Sequence, residues 1–361
     1  MKVKELLKDF YSVRQNLSEP NEGYGLMLKD NSVIVATKDY DCEITNKSNF
    51  TIENLDVSVR VKKLIVNLLE LLDEDEEVDI RKEKERILIT TKRGGRYYFP
   101  CLGWYYEDLR EGIENVLAEF EISNTDLYNM MIISRVLRKD NFNNYASVML
   151  VEIDNKLLQC TATDGNLLIH REISIDNDAE LKICLDRMTC EKILSFIKNN
   201  REEEKAKIMI NDKEFCIKYN DKKAFISRTV SLRYPDYRGI KKSTEINEGA
   251  QYEQFTVSRQ SLQHLISAAG KSQSVRFYSQ NEIVYCHAES YEEEIEINVE
   301  VGKGNISEMR VLINALRTYL ILTDAQDDTI TIRRRLDSRI IELLAKDNEY
   351  YLISLMKENK Q

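Results

Sequence analysis

Proline and glycine are scarce, at 3 and 12 in 361 residues. No Pro/Ser-rich stretch interrupts the chain, so its parts are expected to pack as a continuous rigid arc without flexible linkers. The three histidines, His170, His264 and His287, lie far apart in sequence, and none belongs to an H-E-x-x-H arrangement. Metal or histidine-based catalysis is therefore not indicated. A G-x-x-x-x-G-K-[ST] phosphate loop is missing, and Gly302-Lys303-Gly304 lacks both the remaining glycine and the strand-to-helix setting. No apolar run approaches the roughly 18 residues that a membrane span needs. The opening Met1-Lys2-Val3-Lys4-Glu5 has no signal-like apolar stretch, so a cytoplasmic location and no membrane partner are expected. The seven cysteines (Cys42, Cys101, Cys160, Cys184, Cys190, Cys216 and Cys286) are scattered and form no C-x-x-C pair. Buried free thiols are the expectation, with neither a disulfide framework nor a zinc site.

Among what is present, length suits two to three domains at roughly 100–200 residues each. Hydrophobic residues make up 42% and charged residues 32%, the balance of a globular protein with a heavily charged surface. The net charge of −10 argues by itself against a nucleic-acid partner.

Internal repetition changes that reading. Ser32-Val-Ile-Val-Ala-Thr-Lys-Asp39-Tyr-Asp-Cys-Glu-Ile44, Leu158-Gln-Cys-Thr-Ala-Thr-Asp164-Gly-Asn-Leu-Leu-Ile169 and Val284-Tyr-Cys-His-Ala-Glu289-Ser-Tyr-Glu-Glu-Glu-Ile295 share one pattern. Each is an extended run that turns on an acidic residue and resumes as strand. Asp39, Asp164 and Glu289 are 125 residues apart, and helix-like segments opening near Val61, Asp186 and Val311 keep the same interval. Strand-like segments at Tyr97–Pro100, Ala224–Ser227 and Tyr351–Ser354 close each unit. Two landmarks in step define a threefold repeat with expected boundaries 1–121, 122–246 and 247–361.

Each unit reads helix, strands, helix, strands. The apolar spacing predicts helices over 3–17, 59–72, 125–139, 186–198, 258–271 and 308–322. Asp154-Asn155 and Asn220-Asp221 are expected turns. Asp73-Glu74-Asp75-Glu76-Glu77 reads as a solvated turn after a helix. The six helices hold Lys4, Lys8, Arg14, Arg60, Lys62, Lys63, Arg135, Arg138, Lys139, Arg187, Lys192, Lys198, Arg259, Lys271, Arg310 and Arg317. These 16 basic side chains stand against seven acidic ones, a helical net of +9 that leaves −19 for the rest of the chain. Charge segregated onto helices, with few aromatics on their polar faces, fits sequence-independent contact with phosphates better than base readout.

The segment Phe225-Ile-Ser-Arg228-Thr-Val-Ser-Leu-Arg233-Tyr234-Pro235-Asp236-Tyr237-Arg238 closely resembles the signature ending the middle domain of the bacterial DNA polymerase III beta subunit. Thr161-Ala162-Thr163-Asp164-Gly165 resembles the same family's middle-domain turn, and weaker likeness extends over the whole chain, including Val61–Leu64 and Tyr351–Met356. The resemblance implies an α+β fold of three pseudo-repeated DNA-clamp domains, each with two helices packed on small antiparallel sheets, forming half of a ring. It further implies a non-enzymatic sliding clamp, or processivity factor, for DNA replication. Two chains would close head to tail as a homodimer around duplex DNA, with the basic helices lining the channel. DNA polymerase and clamp loader subunits would dock short peptides in a groove whose matching positions here are Ala146, Thr163, Gly165, Leu168, Pro235, Ile240, Leu352, Ser354 and Met356. No cofactor is implied. The chain departs from the family in having Asn166-Leu167-Leu168 after the glycine where His-Arg-Leu is usual, a small Ala146, and Ser354-Leu355 near the end. A client motif different from the common one is therefore expected.

Two rival readings remain open at this point. A clamp-like paralogue without ring closure would act as a peptide-binding adaptor and would be monomeric. A nuclease would need Asp39, Asp164 or Glu289 for metal-dependent turnover.

Overall fold

The structure, a computed structural model, describes residues 1–13, 23–29, 32–39, 41–55, 58–102, 110, 112–139, 144–247, 249–269, 272–290, 295–323, 328–344 and 349–356. Among these, the order helix, four strands, helix, three strands occurs three times. Helix α1 (Val3–Ser12) precedes strands Gly23–Lys29, Ser32–Lys38, Cys42–Lys47 and Val59–Lys62; α2 (Leu64–Leu69) precedes Val78–Glu83, Arg86–Thr91 and Arg96–Leu102. Strand Ala118–Ser123 leads into α3 (Asn124–Ile132) and strands Val148–Asp154, Leu157–Thr163, Leu167–Ser174 and Leu181–Asp186. Next come α4 (Arg187–Asn199) and strands Lys205–Ile210, Glu214–Tyr219 and Lys223–Arg228. Beyond a short α5 (Tyr237–Lys242), strand Tyr252–Ser258 leads into α6 (Arg259–Ala268) and strands Ser274–Gln280, Ile283–Ser290, Ile295–Lys303 and Met309–Leu312. Last come α7 (Ile313–Leu322) and strands Thr329–Arg335, Ile340–Leu344 and Glu349–Ser354.

The chain divides into two compact units. Residues 1–131, 152–157 and 174–230 form the first; 132–151, 158–173 and 231–361 form the second. In the first unit, eleven antiparallel strands make one sheet, which passes from Cys42–Lys47 directly to Lys223–Arg228. That joint sets Phe225 opposite Ile44 and Ser227 opposite Cys42, all buried. Helix α1 buries Val3, Leu6, Leu7 and Phe10, spaced to share one face. Phe10 meets Tyr24 edge-on, with ring centroids 4.8 Å apart. Helix α4 packs Phe196 on Tyr219 and Phe225, 5.4 and 5.6 Å between centroids. The two helices touch, and the Asn199 side chain donates to the Tyr11 carbonyl at 3.3 Å.

The second unit repeats this joint. Leu167–Ser174 pairs antiparallel with Glu349–Ser354, so that Leu168 faces Leu352 and Ile169 faces Tyr351. Helix α7 packs on the 3-10 turn Ile133–Val136, as α4 packs on α1. Tyr319 of α7 meets Tyr351 edge-on at 4.9 Å.

Several expected helices are shorter than the apolar spacing predicts. Val59–Lys62 and Met309–Leu312 are strands leading into α2 and α7, because sheet pairing (Tyr24 with Val61, Val275 with Val311) captures the start of each apolar run. Short apolar runs carry both periodicities, and tertiary pairing decides between them. The helix expected over 125–139 gives way to the 3-10 turn after Ile132, and Leu137 is extended with ψ 142°. The far end of the expected 3–17 helix, from residue 14 on, lies outside the described residues, as do 270 and 271. At α4 and α6 the sequence boundaries hold to within a residue or two at the start. Asp186 and Ser258 cap them, accepting from Thr189 N at 2.8 Å and Ser261 N at 3.3 Å. Left-handed backbone occurs at Asn155 and Asn220, where turns are expected.

The acidic landmark of the repeat has a physical cause. Asp39 Oδ1 accepts from Asp41 N at 3.0 Å and Cys42 N at 2.8 Å, and Asp164 Oδ1 accepts from Asn166 N and Leu167 N, both at 2.8 Å. Each carboxylate closes its own strand-to-strand turn, the bonding that lets Asp compete with regular structure. The side chain of Glu289 lies outside the described residues. Asp39 Oδ2 also holds the mostly buried Lys192 of α4, tying the turn to the helix.

Asp39→Ala removes the carboxylate that accepts from two backbone amides and strands a desolvated ammonium. It is expected to cost about 3 kcal/mol, read as a lowered urea midpoint, with partial recovery in Asp39→Ala/Lys192→Met. Desolvation pushes the Cys42 and Cys160 thiols up to about 12 and Cys184 up to about 11. Thiol titration of the folded chain at neutral pH should therefore detect Cys101, the half-buried one, and reach all seven only in denaturant.

Candidate functional site

The cationic candidates fall into three groups. Lys8, Lys62, Lys63, Arg135, Arg138, Lys139, Lys198 and Arg317 present exposed side chains. Lys8 is 3.9 Å from Glu202, and Arg317 donates to Asn314 at 3.1 Å. A second group is engaged within the protein. Lys4 pairs with Asp75 at 2.9 Å, a bond that raises its pKa, and Arg187 pairs with Glu191 at 2.8 Å. Lys192 is the Asp39 partner already described. The third group, which overlaps the first at Lys62, Lys63, Arg138 and Lys139, departs from the expected helical faces. Arg60, Lys62 and Arg310 sit on strands, Lys63 is the residue preceding α2, and Arg138 and Lys139 follow the 3-10 turn. Arg259 is 5% exposed, donates to Thr323 Oγ1 at 2.8 Å and lies 6.0 Å from the Tyr319 ring centre, so it belongs to the packing. Arg14 and Lys271 lie outside the described residues. The acidic run 73–77 binds the N-terminal segment: Asp75 takes both Lys2 and Lys4, and Glu77 takes Lys92.

The second candidate surface lies within the second unit. Thr163 Oγ1 accepts from Gly165 N at 3.0 Å, and Gly165 adopts φ +91°, a conformation costly for residues with a Cβ. Beside this turn, Ser354 N donates to the Asn166 carbonyl at 2.8 Å, while Leu168 and Leu352 face each other in the strand joint. Leu355 N and Met356 N donate to the carbonyls of Arg339 and Arg310, at 2.8 and 3.0 Å. The Tyr234-Pro235-Asp236-Tyr237 segment is anchored by Tyr234 OH on the Thr161 carbonyl and Tyr237 OH on Gln159 Oε1, both at 3.2 Å. Asp236 caps α5 by accepting from Gly239 N at 3.0 Å. These bonds bring Thr163, Gly165, Leu168, Leu352, Ser354 and Met356 onto neighbouring segments. Pro235 and Ile240 follow on the segment that Tyr234 and Tyr237 fasten to the same strand. Ala146 is buried, and its carbonyl accepts from Arg138 N at 2.7 Å. Ala146, Thr163, Leu168 and Leu352 are buried, so the reachable apolar surface comes from Pro235, Ile240 and Met356, all half-buried.

The sequence reading missed three features here. Helix α5 is too short to show a period. Arg138 and Tyr145 flank Gly165: a Cβ there would lie 3.5 Å from the Arg138 guanidinium and 3.9 Å from Tyr145 OH. His170 is stacked between Tyr237 and Tyr350, at 5.3 and 4.6 Å, and bonds Thr161 Oγ1 through Nδ1 at 2.9 Å. Of the two stacking partners only Tyr237 lies in a motif visible in the sequence.

No protein-family model and no curated protein matches the sequence. Solved structures do match, over nearly the full length. The DNA polymerase III subunit beta from Pseudomonas aeruginosa is 18% identical, covers 99% of both chains and has a TM-score of 0.83. The beta subunit from Thermotoga maritima is 17% identical over 99% of this chain and 97% of its own, with a TM-score of 0.80. The Helicobacter pylori beta clamp bound to a DNA ligase peptide is 14% identical over 98% and 97%, with a TM-score of 0.77. No helix among the described residues is long and apolar enough to cross a membrane. The mixed helices and antiparallel sheets assembled above thus form the fold of the DNA polymerase III beta subunits, the sliding clamps.

Proposed function

We propose that the chain is a non-catalytic DNA sliding clamp of three domains, 1–121, 122–246 and 247–361. It would encircle duplex DNA as a head-to-tail homodimer and bind client proteins through the surface around Gly165. The observation that carries this reading is the recurring joint. In each of its two occurrences, the last strand of one repeat pairs with the third strand of the preceding repeat: Lys223–Arg228 on Cys42–Lys47, and Glu349–Ser354 on Leu167–Ser174. By the same rule Arg96–Leu102 lacks its neighbour, and so does Ile295–Lys303. Both leave an unpaired edge over residues 96–100 and 295–301 among the described residues.

An open edge seeks pairing, and these two are of opposite charge. Arg86, Arg93 and Arg96 are exposed on or beside the first; Glu296 and Glu300 are exposed on the second, next to Glu292, Glu293 and Glu294 in sequence. Carried around the repeat, with Lys223 moved back one 125-residue period and Asn46 moved forward two, the observed pairing puts Tyr98 opposite Glu296 of a second copy, to within one residue. The helices follow suit. α4 packs on α1 and α7 on the turn ending α3, which leaves α2 for α6 of the other copy. Leu64 and Leu71, at either end of α2, are 59% and 84% exposed, apolar surface that such a contact would cover. A heterologous contact of this kind closes rather than polymerises only if the curvature matches.

A closed ring holds DNA by topology, so its cationic contacts serve sliding and need no base readout. Of the exposed cations on helices and helix ends, Lys63, Arg135, Lys198 and Arg317 make no ion pair among the described residues and are the ones left for phosphates, whereas Lys8 is near Glu202 at 3.9 Å. Client binding is supported by likeness to a clamp bound to a DNA ligase peptide. The Asp39 and Asp164 carboxylates are engaged in their turns, which favours the non-catalytic reading over a nuclease.

Threading on linear duplex tests the proposal. The chain should run off open-ended DNA and be trapped when both ends are blocked with bulky protein; equal retention on both would overturn ring closure. Arg135→Glu/Lys198→Glu/Arg317→Glu should shorten retention and flatten the salt dependence by roughly 2–3 in log–log slope, with urea stability unchanged. An unaltered slope would remove these residues from the DNA-facing surface.

A further inference from the structure

A cavity of about 650 Å³ opens in the first unit, where strand Cys42–Lys47 meets strand Lys223–Arg228. One repeat supplies α1 and the strand end at Asn46 and Lys47, and the next supplies the turn at 220–223. The register of the joint continues one step past Asn46 and Lys223, because Lys47 N donates to the Lys222 carbonyl at 2.6 Å. Two lysines therefore face each other across the joint at the cavity wall. Like charges directly opposite in a sheet repel, an arrangement that is unfavourable without a counterion.

Carboxylates line the same walls, and each is already engaged. Glu203 takes Lys223 at 3.1 Å and Asn220 Nδ2 at 2.7 Å. Asp9 accepts from Asn46 Nδ2 at 2.9 Å and from Ser48 Oγ, and Glu5 accepts from Lys2 N at 3.2 Å. Lys222 reaches the neutral Asn49 Oδ1 at 3.2 Å, and neither Lys47 nor Lys222 makes an ion pair among the described residues. The cavity thus has surplus positive charge and no carboxylate left to meet it. The rest of its wall is not ionic. Phe50 adds an apolar side, Asn49 keeps its amide NH2 and Asn220 its amide oxygen, so one donor and one acceptor remain. The volume lies within the roughly 300–1,000 Å³ of small-ligand pockets. An anionic group joined to a flat heterocycle, whose edge presents both an acceptor and a donor, matches this set of groups.

We infer that this cavity binds a nucleoside di- or triphosphate, with its phosphates between Lys47 and Lys222 and its base beside Phe50, Asn49 and Asn220. Such a ligand supplies the counterion that the facing lysines lack. It also bridges two repeats, so its binding steadies the joint. The site uses none of the residues proposed for client binding, and it stands whether or not two copies close into a ring.

Calorimetry and urea unfolding of the full chain test the site, with dATP, inorganic triphosphate and deoxyadenosine as probes. The nucleotide is expected to bind at millimolar concentration or below, more tightly than either fragment, and to raise the urea midpoint. Lys47→Ala/Lys222→Ala should weaken dATP binding about tenfold, as the loss of one charge-assisted bond implies. The same change should not lower the urea midpoint of the free chain, because it removes a repulsion. Lys213→Ala, at an exposed lysine outside the cavity, should leave dATP affinity unchanged. Triphosphate binding as tightly as dATP would overturn the nucleoside assignment. Displacement of dATP by a short DNA duplex would overturn a free nucleotide as the ligand and assign the two lysines to backbone phosphates. Absence of dATP binding, or an equal loss in Lys213→Ala, would overturn the site itself.

Discussion

Backbone pairing between the last strand of one repeat and the third strand of the repeat before it is the constraint on which the rest of this structure depends. Register in such a joint cannot drift, because a slip of one residue would exchange its inward and outward faces. Phe225 against Ile44, and Leu168 against Leu352, would then turn their apolar side chains to solvent. With the strands fixed, the helices above them are fixed too: Phe196 of α4 packs on Phe225 of the joint, and Tyr319 of α7 on Tyr351. The joint also shapes the surface around Gly165, since Ser354 reaches Asn166 only because Glu349–Ser354 is zipped to Leu167–Ser174.

Charge is distributed in keeping with that framework. Carboxylates at structural turns are consumed locally, as at Asp39 and Asp164, and the acidic run 73–77 ties down the N-terminal segment through Lys2 and Lys4. The exposed cations that make no ion pair among the described residues include Lys63, Arg135, Lys198 and Arg317 at helices or helix ends and Arg138 beside Gly165. Those on helices and helix ends suit a polyanion that is held loosely and without sequence preference.

Much of this was legible in the sequence. The 125-residue spacing of acidic turns marked a physical device, the carboxylate that accepts two backbone amides, and the α+β class followed from helices alternating with short β-rich runs. The turn at Thr163–Gly165 and the segment Tyr234–Tyr237 were visible as motifs. What was not legible depended on tertiary choice. Val59–Lys62 and Met309–Leu312 read equally well as the first turn of a helix, and only sheet pairing made them strands. Basic residues counted on helices could not be sorted by sequence into exposed, paired and buried, so Arg259 and Lys192 were grouped with Lys198 and Arg317. Arg138 looked helical, and only the break after Ile132 turns it toward Gly165.

Light scattering of the purified chain across micromolar concentrations addresses the central claim most directly, because ring closure requires two copies joined by complementary edges. The account predicts a stable particle of twice the chain mass that dissociates when Arg93 and Arg96 are changed to Glu, and re-forms when Glu296 and Glu300 are changed to Lys in the same chain. A monomer at every concentration, or a dimer indifferent to both changes, would contradict it.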